Sequence, residues 1–524
     1  MNKKTFLTVL FALFCVAAQA IDEYQFHSGT AVIKGRVVNK PANDWNILTI
    51  TSCNLFTSQE QVQSIPVAAD GTFEAAISLP HSQGVWLKDI GHVFLAVSDT
   101  VEVTIDATKG EDEGGMTFSG NTTSAVINQL WPALRKQYFG DERLDIKSVS
   151  LEEIPAWKQK MVKLVDVVIA DIKADRLPLP NGTNAYVKEV LGASLLAEPF
   201  ESMLRTFRRH INTLMRNRVE YYDFLAEREQ WLLNNPSMML AICNSDYLVN
   251  GVGLYLFVDI SFMDNSLHID NLNTDPAEIV DYKNDFFLPH NYDASLHRTL
   301  LSIRKDTLLT KADYYRLATE CGQKNYHLKN NFMQQVTLTH EIFETVNDEE
   351  HFTPDQKAAV FAAVIPLITN PVVAYHAVES YRQFVISSEG RSQNASSTPE
   401  ADALFDRIIA PYKGNSLYID FWGMYCAPCK TGMLEHREKV EKMKDLPVRF
   451  LYICDERDSP REDAEQWMQK NNIKGEHIFV THEEWQLLCQ KFQFSAVPFQ
   501  IAFDKDGNLV KKEYLNTYLD ELIK

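Results

Sequence analysis

The feature that most constrains this chain is a pair of cysteines between a strand pattern and a helical pattern. Strand-forming residues run from Leu417 to Trp422, Cys426 and Cys429 follow, and a helical pattern extends from about Lys430 to Lys444. This order is typical of a reactive dithiol. Cys426 is expected at the helix N-terminus, where free N–H groups and the helix dipole favour the attacking thiolate. Cys429, one turn later, is placed to resolve a mixed disulfide.

Two further features point to the same site. Asp420 is a carboxylate inside the apolar strand pattern. An isolated buried carboxylate is costly to ionise, so we expect its pKa to rise and the group to be able to move protons. Val497 and Pro498 precede a second strand pattern that ends near Phe503. A proline that opens a strand is consistent with a cis peptide bond before it.

The segment from about Ala401 to Lys524 resembles the thioredoxin superfamily. It is most similar to the exported thiol–disulfide oxidoreductases of the TlpA/ResA type, including multidomain members from Bacteroides-type bacteria. The residues that carry the resemblance are Asp420, Phe421, Trp422, Cys426, Pro428, Cys429, Lys430, Val497 and Pro498. Three residues depart from the usual pattern, on the face that meets substrate: Tyr425 replaces Trp, Ala427 replaces Gly, and Phe499 replaces Thr.

The resemblance implies a reaction and a set of roles. Cys426 and Cys429 form the redox disulfide, with Cys426 as the nucleophile, Cys429 as the resolving thiol and Asp420 as the buried proton carrier. The partners are protein disulfides and an upstream electron donor. The residues that it assigns to substrate binding are Trp422, Tyr425, Val497 and Pro498.

Other uses of a Cys-x-x-Cys pair are less consistent with the sequence. A zinc site needs a second such pair or a spaced pair of histidines, and neither accompanies Cys426 and Cys429. Haem attachment needs a histidine after the second cysteine, where Lys430 stands. An inert structural disulfide stays open as an alternative. We expect no metal, and no small-molecule cofactor because no glycine-rich phosphate-binding motif is present.

Length and charge bound the remaining possibilities. A chain of 524 residues is too long for a single core. The formal net charge of −19 argues against nucleic acid or an anionic membrane surface as a partner.

The first 20 residues resemble a cleavable signal peptide. Lys3 and Lys4 precede an apolar run from Phe6 to Ala18, and Ala18-Gln19-Ala20 fits a cleavage site. This pattern predicts export, with a periplasmic location. The alternative is a lipid anchor at Cys15. No other apolar run has the length of a membrane span.

The rest of the chain divides by pattern. Residues 21–120 carry short strand patterns, with Asp70-Gly71 as a hairpin signal, and predict an all-β sandwich-like domain. Residues 121–386 predict a mostly α-helical region, with helices near 151–172, 185–198, 199–233, 308–321, 324–346, 355–369 and 372–388. Residues 387–400 are small and polar and predict a flexible linker, which would let the redox domain take several orientations.

Residues 401–524 predict an α/β thioredoxin-like domain with an antiparallel edge. Ser459 and Pro460 fit the N-cap and first-turn positions of one of its helices, and a further helix is expected from Asn516. The buried cysteines Cys454 and Cys489 are expected to be structural.

Taken together, these patterns predict an exported thiol–disulfide oxidoreductase that reduces protein disulfides. The alternative is a protein that binds a partner or surface ligand through the roughly 380 residues that precede the redox domain, with the dithiol as an accessory.

Overall fold

The structure is a computed structural model. It describes residues 26–41, 45–57, 59–109, 114–140, 144, 153–209, 227–242, 331–347, 353–388 and 398–512. The predicted signal peptide (1–20), Cys15, the predicted helix at 308–321 and the predicted helix from Asn516 lie outside these residues.

The N-terminal part forms two four-stranded sheets, of order β4-β1-β7-β8 and β3-β2-β5-β6. In β7 the apolar residues Val101, Val103 and Ile105 are buried and alternate with polar ones, as in a strand with one face on a core. Side chains from both sheets form that core, so the predicted β-sheet structure is confirmed. The strands are β1 Gly29–Val38, β2 Ile47–Asn54, β3 Gln59–Pro66, β4 Thr72–Leu79, β5 Gln83–Leu87, β6 Gly91–Leu95, β7 Thr100–Asp106 and β8 Met116–Ser119.

The hairpin predicted at Asp70-Gly71 is wrong. A tight turn does occur there, with Gly71 at φ 86° and its N–H bonded to Ala68 O at 2.8 Å. The flanking strands, however, belong to different sheets: β3 pairs with β2, and β4 pairs with β1. Turn residues report local backbone shape, and a turn between sheets needs the same chemistry as one within a sheet.

The central part is mostly helical in the residues that the structure describes. The helix predicted to break at Pro199 continues through it, because Leu195, Leu196 and Phe200 are almost fully buried and hold the helix in the core. The helices are α1 Thr123–Phe139, α2 Ile154–Lys173, α3 Ala185–Arg209, α4 Glu229–Leu232, α5 Phe332–Asn347, α6 Pro354–Val364 and α7 Pro371–Ser388.

The predicted linker is too long at both ends. Helix α7 continues to Ser388, and the next helix, α8 (Pro399–Ile409), begins with Thr398 as its N-cap. Residues 389–397 lie outside the described part of the chain. Leu404 and Phe405 of α8 are buried against the C-terminal sheet, so this helix is part of the C-terminal domain.

The C-terminal domain is an α/β fold with the strand order β11-β10-β9-β12-β13. Strands β9, β10 and β11 are parallel, and β12 and β13 are antiparallel to their neighbours, which confirms the predicted antiparallel edge. After α8 the elements are β9 Ser416–Phe421, α9 Ala427–Lys442, β10 Val448–Asp455, α10 Arg461–Lys470, β11 Glu476–Val480, α11 His482–Phe492, β12 Phe499–Phe503 and β13 Leu509–Lys512.

The β-sandwich contacts the C-terminal domain directly. Val62 of β3 is 2% exposed and lies in the same apolar cluster as Leu488 and Phe492 of α11. Asn46, just before β2, donates its side-chain N–H to Glu483 of α11 at 2.6 Å. In the described residues, no helix has the length and apolar character needed to cross a membrane.

Candidate redox site

The dithiol lies at the N-terminus of α9. Cys426 and Cys429 are joined by a disulfide, with 5.3 Å between their Cα atoms. Cys426 is the N-cap residue, and its sulfur accepts the backbone N–H of Cys429 at 3.1 Å. Cys426 is 6% exposed and Cys429 1% exposed. The more exposed of the two cysteine residues is therefore the one at the N-cap, and this N-cap position of Cys426 agrees with the prediction.

The carboxylate of Asp420 faces the dithiol side of the sheet. Side chains alternate along β9, and Tyr418 and Trp422 lie in the apolar cluster that contains both cysteines. Asp420 stands between them in the sequence and shares their face. It is 1% exposed, and burial raises its pKa to about 7, while a hydrogen bond from Gln500 acts in the opposite direction. The expected rise of this pKa agrees with its environment.

Gln500 is a site residue that the sequence analysis missed. It stands opposite Asp420 in the β9–β12 pairing, and its Nε2 donates to Asp420 Oδ2 at 3.2 Å. The other carboxylate oxygen, Oδ1, has no hydrogen-bond partner within the described part of the chain. The sequence does contain a signal for Gln500, because it is a polar residue within the apolar run from Phe499 to Phe503. The same kind of signal identified Asp420.

The residues predicted to meet substrate fall into two groups. The bond between Val497 and Pro498 is cis, Val497 packs against the cluster of the two cysteines, and Pro498 is exposed. Tyr425 is 66% exposed beside Cys426. Trp422, by contrast, is 1% exposed and packs beside Trp467, so its predicted contact with substrate is corrected to packing beneath the dithiol.

A charged cluster beside the dithiol was also missed. His482, the first residue of α11, bonds through Nδ1 to Asp455 Oδ2 at 2.6 Å, and its Nε2 lies 3.4 Å from Asp89 Oδ2. Arg457 donates to the same oxygen of Asp89 at 2.5 Å. Burial lowers the pKa of His482, but the hydrogen bonds to Asp455 and Asp89 outweigh it and raise the pKa overall.

Part of this cluster has the composition of a metal site. Within the described residues, ligand atoms of Asp455, Asp458 and His482 lie within 4.8 Å of one another. Asp455 and His482 already bond to each other, and Asp458 pairs with the guanidinium of Arg457. We therefore assign no metal to the cluster.

The two other buried cysteines of this domain are poor nucleophiles. Burial raises the pKa of Cys454 and of Cys489 to about 12, and neither forms a disulfide. This supports their predicted structural role.

Comparison with known proteins identifies relatives over part of the chain. No protein-family model matches it. It is 22% identical over 175 residues to the thiol–disulfide oxidoreductase ResA of Bacillus cereus, covering 31% of this chain and 95% of the relative. It is 25% identical over 118 residues to ResA of Bacillus anthracis, covering 21% of this chain and 65% of the relative, which is less than two thirds of the relative's length.

Solved structures give matches of similar extent. One is the thioredoxin domain of a thiol–disulfide oxidoreductase from Bacteroides vulgatus, with 16% identity, a TM-score of 0.21, and coverage of 22% of this chain and 84% of that one. Another is a thiol:disulfide interchange protein from a Bacteroides species, with 17% identity, a TM-score of 0.20, and coverage of 21% and 73%.

The predicted resemblance is confirmed over part of the chain. The protein has a thioredoxin-like domain related to thiol–disulfide oxidoreductases of the ResA/TlpA type.

Proposed function

We propose that this protein is an exported thiol–disulfide oxidoreductase that reduces disulfides in other proteins. The observation that supports this most directly is the position of Cys426, the more exposed residue of the pair, as the N-cap of α9. N–H groups and the helix dipole at that position favour the thiolate. Export is proposed from the signal-like residues 1–20, and a periplasmic location from the same pattern.

The proposed reaction begins from the reduced dithiol. The Cys426 thiolate attacks one sulfur of a substrate disulfide, a mixed disulfide forms, and the second substrate sulfur leaves as a thiolate. Cys429 then loses its proton and attacks the sulfur of Cys426. The Cys426–Cys429 bond forms, and the first substrate sulfur leaves. The substrate gains two electrons, and an upstream thiol donor returns the pair to the reduced state.

Asp420 is proposed to accept the proton of Cys429. Three observations support this role: it shares a face of β9 with residues that pack on the dithiol, it is buried, and its pKa is about 7. A carboxylate with a pKa near neutrality can both take up and release a proton under working conditions. Gln500 holds one of its oxygens and so fixes the orientation of the carboxylate.

Substrate is proposed to bind between Tyr425 and the Val497-Pro498 pair. Tyr425 offers an exposed aromatic ring next to Cys426, and Val497 packs against the cluster of the dithiol on another side. An aromatic ring beside the reactive sulfur favours an unfolded or extended segment that can lay apolar surface on it. Trp422 is left out of this surface because it is buried.

The test is reduction of insulin by the full chain in the presence of a small thiol donor. We expect turnover by the wild type, none by Cys426→Ser, and wild-type turnover by Cys53→Ser, a control in the sandwich. Cys429→Ser should accumulate a mixed disulfide, because attack proceeds but resolution does not. Alkylation of the reduced protein should reach Cys426 before Cys429.

Two results would overturn the proposal. If Cys426→Ser reduces insulin as well as the wild type, the dithiol is not the active group. If the wild type is inactive while both thiols are accessible, a protein that binds a partner and carries an accessory redox domain becomes the better account.

A further inference from the structure

The β-sandwich contacts both loops that border the dithiol. One is the β10–α10 loop (456–460), and the other is the α11–β12 loop (493–498). The first supports the turn before Cys426, because Ser459 Oγ accepts the backbone N–H of Met424 at 2.9 Å. The second carries Val497, which packs against the cluster of the cysteines.

The contact with the β10–α10 loop is made by Asp89. This residue stands between β5 and β6 with a left-handed φ of 63°. Its carboxylate binds Arg457 of the loop at 2.5 Å and lies 3.4 Å from His482, which in turn binds Asp455. Asp455 closes the loop, because its side chain accepts the N–H of Arg457 at 3.0 Å and its carbonyl accepts the N–H of Ser459 at 2.9 Å.

The contact with the α11–β12 loop is made by strand β3. Gln493 donates to Val62 O at 2.9 Å, and its own side-chain oxygen accepts the N–H of Val62 at 3.0 Å. Ser495, two positions further on, donates its hydroxyl to the carboxylate of Glu60. These bonds hold the loop immediately before Val497 against the edge of the sandwich.

We propose that Asp89 is a positioning residue of the redox site and that the β-sandwich is a fixed part of that site. The inference rests on the proposed function of the dithiol. Asp89 acts through Arg457, His482 and Asp455 on Ser459, and Ser459 holds the N–H of Met424, two residues before Cys426. This chain of contacts keeps the turn in the geometry that aligns the Cys426 sulfur with the helix N–H groups.

Charge explains why a carboxylate is used at this position. Asp89 lies between two basic side chains, the guanidinium of Arg457 and the imidazole of His482, whose pKa is raised. The other charged groups near His482 are Lys88 of the sandwich, Asp455 of β10 and Asp458 of the β10–α10 loop. Burial opposes ionisation of Asp89, yet the bonds from His482 and Arg457 outweigh it and lower its pKa, so the ionised form persists at neutral pH.

Removing the negative charge of Asp89 should change the pKa of Cys426, and the direction of that change separates two mechanisms. Loss of a nearby negative charge alone lowers the pKa of Cys426. Loss of positioning takes the sulfur out of line with the helix N–H groups, so its pKa rises toward that of a free cysteine, about 8.5. A positioning role therefore predicts a rise.

The test compares Asp89→Asn with Asp70→Asn, a matched control. Asp70 is an exposed sandwich carboxylate in the turn before β4, where it pairs with Arg36. The rate of alkylation of Cys426 in the reduced full chain is measured against pH, together with insulin reduction. For Asp89→Asn we expect the midpoint of the alkylation profile to move to higher pH and kcat/KM to fall about tenfold, with Asp70→Asn unchanged.

A second variant guards against a general loss of structure. Ser459→Ala removes the acceptor of the Met424 N–H and leaves the sandwich contact in place, so it should shift the profile in the same direction. A midpoint that falls or stays constant in Asp89→Asn overturns the positioning role. That result differs from failure of the proposed function, in which the wild type and Asp70→Asn would not reduce insulin either.

Discussion

Replacement of Asp420 by Asn should stabilise the C-terminal domain and slow its reaction. Burial raises the pKa of Asp420 from 3.8 to about 7, so the folded state resists its ionisation. Each pKa unit corresponds to about 1.4 kcal/mol. Well above pH 7 the wild type therefore loses about 4 kcal/mol of folding free energy through this one group.

The sign of the pH dependence follows from proton binding. Between the unfolded and folded pKa values the folded state binds more protons than the unfolded state, so stability falls as pH rises through that range. The loss is about 2 kcal/mol at about pH 5 and is complete above pH 7. Asn carries no charge and keeps an oxygen that can accept from Gln500. The variant should therefore exceed the wild type in stability, by a margin that grows with pH.

The assay is hydrogen exchange of the β9 and β10 amides in the oxidised protein, with the wild type and Asp420→Asn compared at equal pH. The gain of Asp420→Asn over the wild type should increase by about 3 kcal/mol between about pH 5 and about pH 8. Asp506→Asn, an exposed carboxylate in the turn before β13, serves as the control and should show no such trend. A gain that does not change with pH would refute the assigned burial cost. The same variant should accumulate mixed disulfide with insulin, because Cys429 loses its proton acceptor.

Two further predictions concern redox direction and acid stability. Equilibration with a glutathione series should give a midpoint potential nearer that of thioredoxin, about −270 mV, than that of DsbA, about −120 mV. The reason is that Ala427 and Pro428 add no positive charge beside Cys426, and the buried Asp420 disfavours a thiolate. A midpoint potential above about −180 mV would contradict the reductant direction and favour oxidase or isomerase activity. Burial lowers the pKa of His81 and His340 to about 4 and that of His376 to about 3. Below about pH 6.5 the unfolded state therefore binds more protons than the folded state, and the stability of the fold should decrease as the pH drops toward 4. Thermal unfolding at about pH 7 and about pH 5 measures this loss, which should be smaller in His376→Gln; an equal loss in both proteins would contradict it.

The dithiol segment could be predicted because its information is local. A strand pattern, two cysteines three positions apart and a helical pattern fix the order of elements, and the N-cap position of Cys426 follows from that order. Asp420 was visible as a single charge in an apolar strand. Gln500 was not identified, although it gives the same kind of signal, because its importance depends on the β9–β12 register, which the sequence does not state.

Several predictions failed where tertiary contacts override local preference. Ser459 has the chemistry of an N-cap, but Pro460 is the residue at that position of α10, and the hydroxyl of Ser459 instead accepts the N–H of Met424. The resemblance assigns Trp422 to substrate binding, whereas the alternation of side chains along β9 directs its ring into the buried apolar cluster that contains both cysteines. Two separate helices are predicted at 185–198 and 199–233, whereas burial of the neighbours of Pro199 keeps this residue inside α3.

The contact between the sandwich and the redox domain was missed for a different reason. A polar segment such as 387–400 shows only that no periodic apolar pattern is present, and it carries no information on whether the domains that flank it touch. The useful signal lies in β3, where Val62 and Ile65 are separated by three positions and so point to opposite faces of the strand. Ile65 fills the core of the sandwich, and Val62 is buried by the C-terminal domain. When an edge strand carries an apolar residue on each of its two faces, both faces need to pack against other parts of the protein. In this protein the redox domain packs against the second face of β3. This contact brings the loop before Val497 close to Glu60 and the β10–α10 loop close to Asp89.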